Sequence, residues 1–227
     1  MPVRLDFRVV ESTSQDDGFS HSNILEIGPQ SKGWLSSKYS IYPQSLVLLL
    51  STPAQIEQIQ MLGNAWAVST QIDIQVGEVA RGSSRDRKNA HFMELGSVFP
   101  ESNEQFDYNA RQLITVEIAD DGRPCPVSFI KLVFHKNYQN KKNQYNQVGL
   151  TAISIIGTPA GSDNTEGEFN LDQVLSPYDE LSFLVYTDTE ITQLILKLEK
   201  RKLDAAGTER FEYAKKIKEA IDELCLA

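Results

Sequence analysis

The chain has 227 residues, of which 31 are acidic and 22 are basic, and its formal charge of −9 argues against sequence-independent binding to nucleic acid. Its 41% apolar and 9% aromatic residues are typical of a globular protein and exclude a wholly disordered chain. Apolar runs stay well short of the roughly 18 residues that span a bilayer, and only two cysteines occur. We therefore expect a soluble cytoplasmic chain with no membrane insertion and no disulfide framework.

Short β-type segments follow one another through the first 157 residues. In chain order the predicted strands are 5–10, 45–50, 55–62, 71–76, 111–118, 127–134 and 149–156. Residues 71–76 alternate strictly between polar and apolar side chains, as in a strand with one buried face. Thr52 and Pro53 predict a turn, and residues 120–124 predict a hairpin between the fifth and sixth of these strands. The pattern predicts an antiparallel β-sandwich over residues 1–157.

Charge is distributed unevenly over the rest of the chain. Residues 158–187 contain six acidic residues, no basic residue and a cluster of turn-forming residues at their start, which indicates an acidic linker, partly docked on its neighbours. Residues 188–227 show two amphipathic helical stripes separated by Gly207 and Thr208, with Thr208 as the expected cap of the second helix.

These stripes predict an α-helical hairpin or the start of a coiled coil. The residue pattern of the two stripes is similar to the UVR motif, a short helical hairpin used in protein pairing. A hairpin of this size buries little apolar surface by itself, so a homodimer is one expectation and packing of the helices on the sandwich is the other. The residues expected to mediate pairing are Leu194, Leu198, Phe211, Ile217, Ile221 and Leu224.

An ordered series of short sequences resembles a known family. The series comprises Val-Val-Glu-Ser at 9–12, Asp-Gly-Phe-Ser at 17–20, Gly-Trp-Leu-Ser-Ser at 33–37, Tyr-Pro-Gln at 42–44, Leu-Val-Phe-His-Lys-Asn at 132–137, Tyr-Asn-Gln-Val-Gly-Leu at 145–150 and Ile-Ser-Ile-Ile-Gly at 153–157. It is similar to the amino-terminal domain of the centrosomal protein of 104 kDa family.

The resemblance implies a discoidin-like jelly roll, in the galactose-binding-like class of β-sandwiches. It also implies a microtubule-associated scaffold of the cytoskeleton, placed at ciliary tips and centrioles, with tubulin among the expected partners. Members of this family are longer, so the chain resembles an amino-terminal fragment.

Signatures of catalysis and cofactor binding are missing from the sequence. It contains no phosphate-binding glycine motif, no nucleophile elbow and no metalloprotease motif, so we expect neither an enzyme nor a cofactor. The three histidines and two cysteines lack the spacing of a zinc site. Asp16, Asp17 and Gly18 fit an Asp-Gly turn better than a calcium site, because two carboxylates supply too few oxygen ligands.

Two features have both a structural and a binding interpretation. Trp34 follows a glycine and would either pack in the core or stack on a ligand. An amide-rich loop would either present its polar side chains to a ligand or use them to hold its own backbone. The candidate recognition residues of this loop are Asn137, Asn140, Asn143, Tyr145 and Asn146.

Basic residues cluster twice in the predicted sandwich, whose total charge is close to neutral. The first cluster contains Arg81, Arg85, Arg87 and Lys88, and the second contains Lys136, Lys141 and Lys142. Either they are solvated loop residues or they contact an acidic partner such as tubulin. The sequence favours a non-enzymatic protein-interaction module, and the alternative is a lectin-like jelly roll that binds a glycan or another small ligand.

Overall fold

The structure is a computed structural model, and it describes residues 2–28, 31–80, 82–118, 126–160, 181, 189–208 and 210–226. Strands occupy the first part of the chain and helices the last. The strands are β1 (Val3–Arg4), β2 (Phe7–Ser12), β3 (Trp34–Leu35), β4 (Gln44–Gly63), β5 (Ile72–Val79), β6 (Ala90–Val98), β7 (Leu113–Glu117), β8 (Val127–Phe134) and β9 (Gly149–Pro159). The helices are α1 (Thr189–Gly207) and α2 (Phe211–Leu226).

The strands pair antiparallel and form two layers that share β4. In the first layer the order is β2, the first half of β4, β8, β5 and β6. In the second layer β9 lies between the second half of β4 and the short strands β1 and β3, and β7 pairs with β4 on the far side. The predicted antiparallel β-sandwich is confirmed, and β6 is a strand that the sequence pattern did not reveal.

Strand β4 connects the layers at the position of the predicted turn. Its pairing with β8 shifts register between Leu49 and Ala54, and from Ala54 onward it pairs with β9. Thr52 and Pro53 therefore lie at a corner within one long strand and do not separate two strands. The side chains of Leu46, Leu48 and Leu50 face the main core, whereas those of Val47 and Leu49 belong to a cluster on the outer face of the first layer.

The predicted hairpin between β7 and β8 is wrong. Strand β7 pairs with the second half of β4, whereas β8 pairs with the first half of β4 and with β5. The two strands therefore lie in different layers, because each covers the core from the opposite side. The turn residues that predicted the hairpin lie outside the described residues.

Antiparallel pairing gives the sandwich two distinct ends. Gln44 pairs with Phe134, Phe134 pairs with Ile72, and Gly63 pairs with Leu150. The segments 36–43, 64–71, 99–112 and 135–148 therefore gather at one end, which we call the loop end. The segments 51–54 and 82–89 lie at the opposite end, which we call the corner end.

The two helices form a hairpin with its own small core. Ile195 on α1 packs with Ile217 and Ile221 on α2, and Leu198 lies against them. The hydroxyl of Thr208 donates to the carbonyl oxygens of Asp204 and Ala205, at 2.9 and 3.2 Å. Thr208 thus caps the end of α1, because its side chain reaches back to carbonyl oxygens of the last turn. This corrects the prediction that it caps the start of the second helix.

Leu181 is the one described residue between the sandwich and the helices. It is fully buried with Leu62 and Ala152, and Ile27 and Leu113 pack against this group. Leu62 follows the core residue Met61 along β4 and points to the outer face of the second layer. Leu181 therefore covers an apolar patch on that outer face. The proposed boundaries of the acidic linker stay a prediction.

Candidate functional site

The amide-rich loop at the loop end is held by its own asparagines. Asn143 is buried, its Nδ2 donates to the carbonyl oxygen of Gln147 at 2.7 Å, and its Oδ1 accepts from the Gln147 backbone N–H at 2.8 Å. Asn140 donates to the carbonyl oxygen of Trp66 at 2.9 Å. Asn137 is buried and donates to the carbonyl oxygen of Tyr138 at 3.0 Å. The amide groups of these three predicted recognition residues therefore form hydrogen bonds with backbone groups and stabilise the loop.

Tyr145 and Asn146 differ from those three because both are exposed. The Tyr145 ring meets the Tyr39 ring edge-on, with centroids 5.5 Å apart, and Lys38 Nζ lies 4.8 Å from the centroid of the Tyr145 ring. The backbone of Asn146 has a φ of 53°, in the left-handed region. The surface of this loop is therefore an aromatic and cationic one.

Trp34 is a core residue, and a ligand-stacking role is wrong for it. Its side chain is fully buried, its ring lies 5.1 Å from that of Phe134, and Nε1 donates to the carbonyl oxygen of Ser14 at 2.9 Å. Gly33 before it has a φ of +67°, and a Cβ there would lie 2.4 Å from the carbonyl oxygen of Leu150. Glycine is needed at this position for Trp34 to enter the sheet beside β9.

Lysines surround the exposed part of the loop end. Lys136, Lys141 and Lys142 are all exposed, and the ammonium group of Lys142 donates to the side-chain oxygen of Asn109. The segment 36–43 adds Lys38, and neither this segment nor 135–147 contains an acidic residue. Sequence reasoning missed Lys38, Tyr39 and Ile41, because no local pattern joins them to a loop a hundred residues later.

The first predicted basic cluster lies at the corner end, where two of its members have structural partners. The guanidinium of Arg85 donates to the carbonyl oxygens of Leu50 and Ser51, and that of Arg87 pairs with Glu11. The segment that holds them joins β5 to β6, and the strand residues that flank it, Val79 and Ala90, pack against the outer-face cluster of the first layer. Lys88 is exposed, and Arg81 lies outside the described residues.

The fold separates the two basic clusters. They lie beyond opposite ends of β8, which has eight residues and so spans about 25 Å. A single small ligand therefore cannot contact both clusters. The loop end, where the lysines adjoin exposed aromatic side chains, is the better candidate for a binding surface.

A polar network lies on the outer face of the first layer. Asp73 accepts from His135 Nε2 at 2.6 Å, from Ser97 Oγ at 2.7 Å and from Gln71 Nε2 at 2.7 Å. Burial opposes ionisation of the Asp73 carboxyl, but these hydrogen bonds outweigh it and hold its pKa below the usual value. Ser97 donates to the aspartate and does not contact the histidine in this network, so the group lacks the paired nucleophile and base of hydrolytic catalysis.

The predicted Asp-Gly turn follows β2. Asp16 forms a bridge with Phe19, and its carboxylate accepts from the backbone N–H of Asp17 and from Gln147 Nε2, each at 3.0 Å. Gly18 has a φ of +79°. Within the described ranges, no three His, Cys, Asp or Glu side chains converge in a way that would hold a metal ion.

The predicted pairing residues of the helices divide into two groups. Ile217 and Ile221 are buried inside the hairpin with Leu198 beside them, whereas Leu194 and Phe211 are exposed. The side chain of Leu224 lies outside the described residues. Neither described helix has a stretch long and apolar enough to cross a bilayer.

Comparison with known sequences identifies a family and its members. The family model described as Centrosomal protein CEP104, N-terminal domain, matches residues 33–157. The centrosomal protein of 104 kDa of Homo sapiens is 34% identical over an alignment that covers 99% of this chain and 26% of that protein. The protein of the same name from Mus musculus is 33% identical, with 99% and 27% covered. The chain thus spans about a quarter of the length of these relatives.

Comparison with solved structures supports the fold alone. Reduced XRCC1, solved bound to the DNA polymerase β catalytic domain, superposes with a TM-score of 0.52 at 18% identity and covers 69% of this chain and 100% of that one. A family 32 carbohydrate-binding module from a Clostridium perfringens glycoside hydrolase superposes with a TM-score of 0.50 at 14% identity, covering 67% and 91%. The sandwich is therefore a discoidin-like jelly roll, as predicted.

Proposed function

The chain belongs to the family of the centrosomal protein of 104 kDa, and we propose that its sandwich is a non-enzymatic module that docks an acidic protein partner at the loop end. In this proposal the module helps to place a longer microtubule-associated scaffold at centrioles and ciliary tips. Tubulin is the partner to test first, since the family resemblance implies a microtubule-associated protein.

One observation carries the proposal. The segments 36–43 and 135–147 lie side by side, carry four lysines and contain no acidic residue, although the whole chain has a charge of −9. Three asparagines hold the longer segment from within, so the lysines project from a preformed surface. A local positive surface of this kind favours encounter with an acidic partner, and it does so more strongly at low salt.

The helical hairpin is proposed to add a second point of attachment. Its internal stripe is occupied by contacts between α1 and α2, so pairing with another chain would use the exposed side chains of Leu194 and Phe211. Two linked attachment points raise the overall affinity without any new contact in either. Light scattering should report a dimer for residues 1–227 and a monomer after Leu194→Ser and Phe211→Ser are combined. A monomer in both cases would contradict pairing.

Co-sedimentation with microtubules tests the docking proposal. The test variant combines Lys136→Glu and Lys141→Glu, and the matched control combines Lys88→Glu and Lys200→Glu, which are exposed elsewhere and change the net charge equally. We expect the wild-type chain and the control to bind at low salt and the test variant to bind much less. Equal binding of both variants, or binding that does not respond to salt, would contradict docking through the loop end.

A glycan-binding role is the second candidate, and the exposed rings of Tyr39 and Tyr145 favour it. Aromatic rings of this kind stack on sugars in many binding sites. Against it, Trp34 is buried and the loop asparagines are used internally. A glycan array with the wild-type chain and a Tyr145→Ala variant separates the two candidates, because only the lectin hypothesis expects specific binding that this substitution abolishes.

A further inference from the structure

Within segments 36–43 and 135–148 of the loop end, three large side chains of types that are usually buried are exposed. Ile41 is 88% exposed, Tyr39 is 69% exposed and Tyr145 is 41% exposed. We call these three residues the apolar tip. Exposed apolar groups that adjoin one another and are bordered by charge commonly mark protein-interaction sites. Tyrosine in particular contributes strongly to binding at interfaces, because it adds a large rigid surface at low entropic cost.

The apolar tip is held in place by hydrogen bonds. The Tyr39 backbone N–H donates to the carbonyl oxygen of Tyr145 at 2.9 Å, the Tyr42 hydroxyl donates to the carbonyl oxygen of Asn146, and Gln44 Nε2 donates to that of Ile41. Burial raises the pKa of Tyr42 to about 12, so its hydroxyl stays protonated and donates at physiological pH. A preformed surface loses less entropy on binding than a mobile one.

Charge at the tip restricts the kind of partner. Lys38 lies against the Tyr145 ring, and Lys136 and Lys141 are exposed on the same loop end. The carboxylate of Asp16 lies at the margin of this surface, where it accepts a hydrogen bond from Gln147. A second copy of the same surface would bring like charges together, which disfavours self-association through it.

We infer that the apolar tip is the anchor site for an acidic peptide segment that carries a large aliphatic or aromatic side chain, an inference that rests on the docking function proposed above. The peptide carboxylates would meet Lys38, Lys136 and Lys141, and its apolar side chain would pack against Ile41 and Tyr39. An anionic membrane has similar chemistry but is a flat plane. The segment 99–112 at the same end carries Glu101, Glu104 and Asp107, all exposed, and such a plane would repel them.

Selection from a random library of displayed peptides on the full chain tests this inference whatever the identity of the natural partner. We expect the enriched peptides to have a net negative charge and at least one Leu, Ile, Phe or Trp. The strongest peptide is then synthesised, and its affinity is measured by fluorescence polarisation against the wild-type chain and its variants. Enrichment of neutral or basic peptides, or of none, would overturn the inference.

One double variant and one control make the measurement specific. Ile41→Ser combined with Tyr39→Asn should weaken binding of the peptide about tenfold or more, because it removes most of the apolar contact. Asparagine is chosen since Tyr39 has a φ of 55°, which asparagine tolerates. Tyr213→Ser combined with Lys88→Glu, both exposed and outside the loop end, should leave the affinity unchanged. Unchanged melting temperatures establish that each variant is folded.

The outcomes separate this inference from the proposed function. Selection of acidic peptides that depend on Ile41, without any co-sedimentation with microtubules, would support the anchor site and contradict docking on tubulin. Co-sedimentation that depends on Lys136 and Lys141 but not on Ile41 would support docking and overturn the anchor site. Binding to vesicles containing phosphatidylserine that is lost in the Ile41→Ser and Tyr39→Asn variant, without peptide selection, would overturn it in favour of a membrane.

Discussion

Replacing Arg85 with alanine should destabilise the sandwich, although the sequence predicted this arginine as a candidate contact for an acidic partner. Its guanidinium donates to the carbonyl oxygens of Leu50 and Ser51, where β4 turns from one layer toward the other. Pairing of β4 with β8 is interrupted at this corner, and Arg85 supplies both carbonyls with a charged donor there. Arg85 thus joins the β5–β6 connection to the corner.

The magnitude follows from the number and type of these bonds. A hydrogen bond from a charged group contributes about 1.5–3 kcal/mol, but Arg85 Nε is buried without a partner, which offsets part of the gain from the two bonds. We expect Arg85→Ala to lower the free energy of unfolding by about 2 kcal/mol, or the melting temperature by about 4–8 °C. Arg85→Lys should recover only part of this loss, because one ammonium group cannot reproduce the planar fork.

Thermal and urea unfolding of the full chain, followed by circular dichroism, measures the effect. Lys88→Ala is the matched control, since Lys88 is exposed three residues further along, and a change within about 0.5 kcal/mol is expected. If Arg85→Ala and Lys88→Ala unfold at the same urea concentration as the wild-type chain, the structural role of Arg85 is refuted. The result also decides which charge reversals suit binding assays, because an unfolded variant loses binding for a trivial reason.

Three further predictions concern the core and the outer face of the sandwich. Trp34→Ala should cost about 3–5 kcal/mol in urea unfolding, since it empties a fully buried site, and a small loss would contradict the core assignment. Gly77→Ala should cost about 1–3 kcal/mol, because its new Cβ would lie 2.9 Å from Phe129 Cβ, and an unchanged melting curve would contradict this overlap. Because the pKa of Asp73 is lowered in the folded state, its carboxylate stabilises the fold above the usual carboxyl pKa, and this effect is lost as the pH falls through the pKa of the folded state. We therefore expect the wild type to be more stable than Asp73→Asn by about 1 kcal/mol at pH 6, and this difference should shrink toward pH 3. An advantage that is independent of pH would exclude the carboxylate as its source.

Local sequence patterns predicted most strands but not all of their partners. The alternation of residues 71–76 and the apolar run at 45–50 correspond to parts of β5 and β4. The hairpin between β7 and β8 failed because proximity along the chain and a turn sequence do not decide which layer a strand enters. Thr208 was assigned to the wrong helix for a similar reason, since a threonine between two helices can cap either one.

Sequence reasoning identified only one of the two segments that form the candidate site. Lysines and asparagines of the 135–147 loop were evident as a cluster in the chain. Their division into structural asparagines and exposed lysines depends on which backbone groups lie within reach, such as the carbonyl oxygen of Trp66. Leu181 could not have been singled out from its acidic surroundings, because the patch that it covers is made by Leu62, Ala152 and other distant residues.

Residue order alone establishes the two-sided strands, the helical stripes, the near-neutral sandwich beside an acidic segment, and the family resemblance. Periodicity and charge are properties of neighbouring residues, so they can be read along the chain. Folding, by contrast, brings Tyr39 and Ile41 to the same end as Tyr145 and places the two basic clusters at opposite ends. Antiparallel pairing gathers segments a hundred residues apart and separates segments within one domain, so a surface made by loops is a property of strand register and not of local composition.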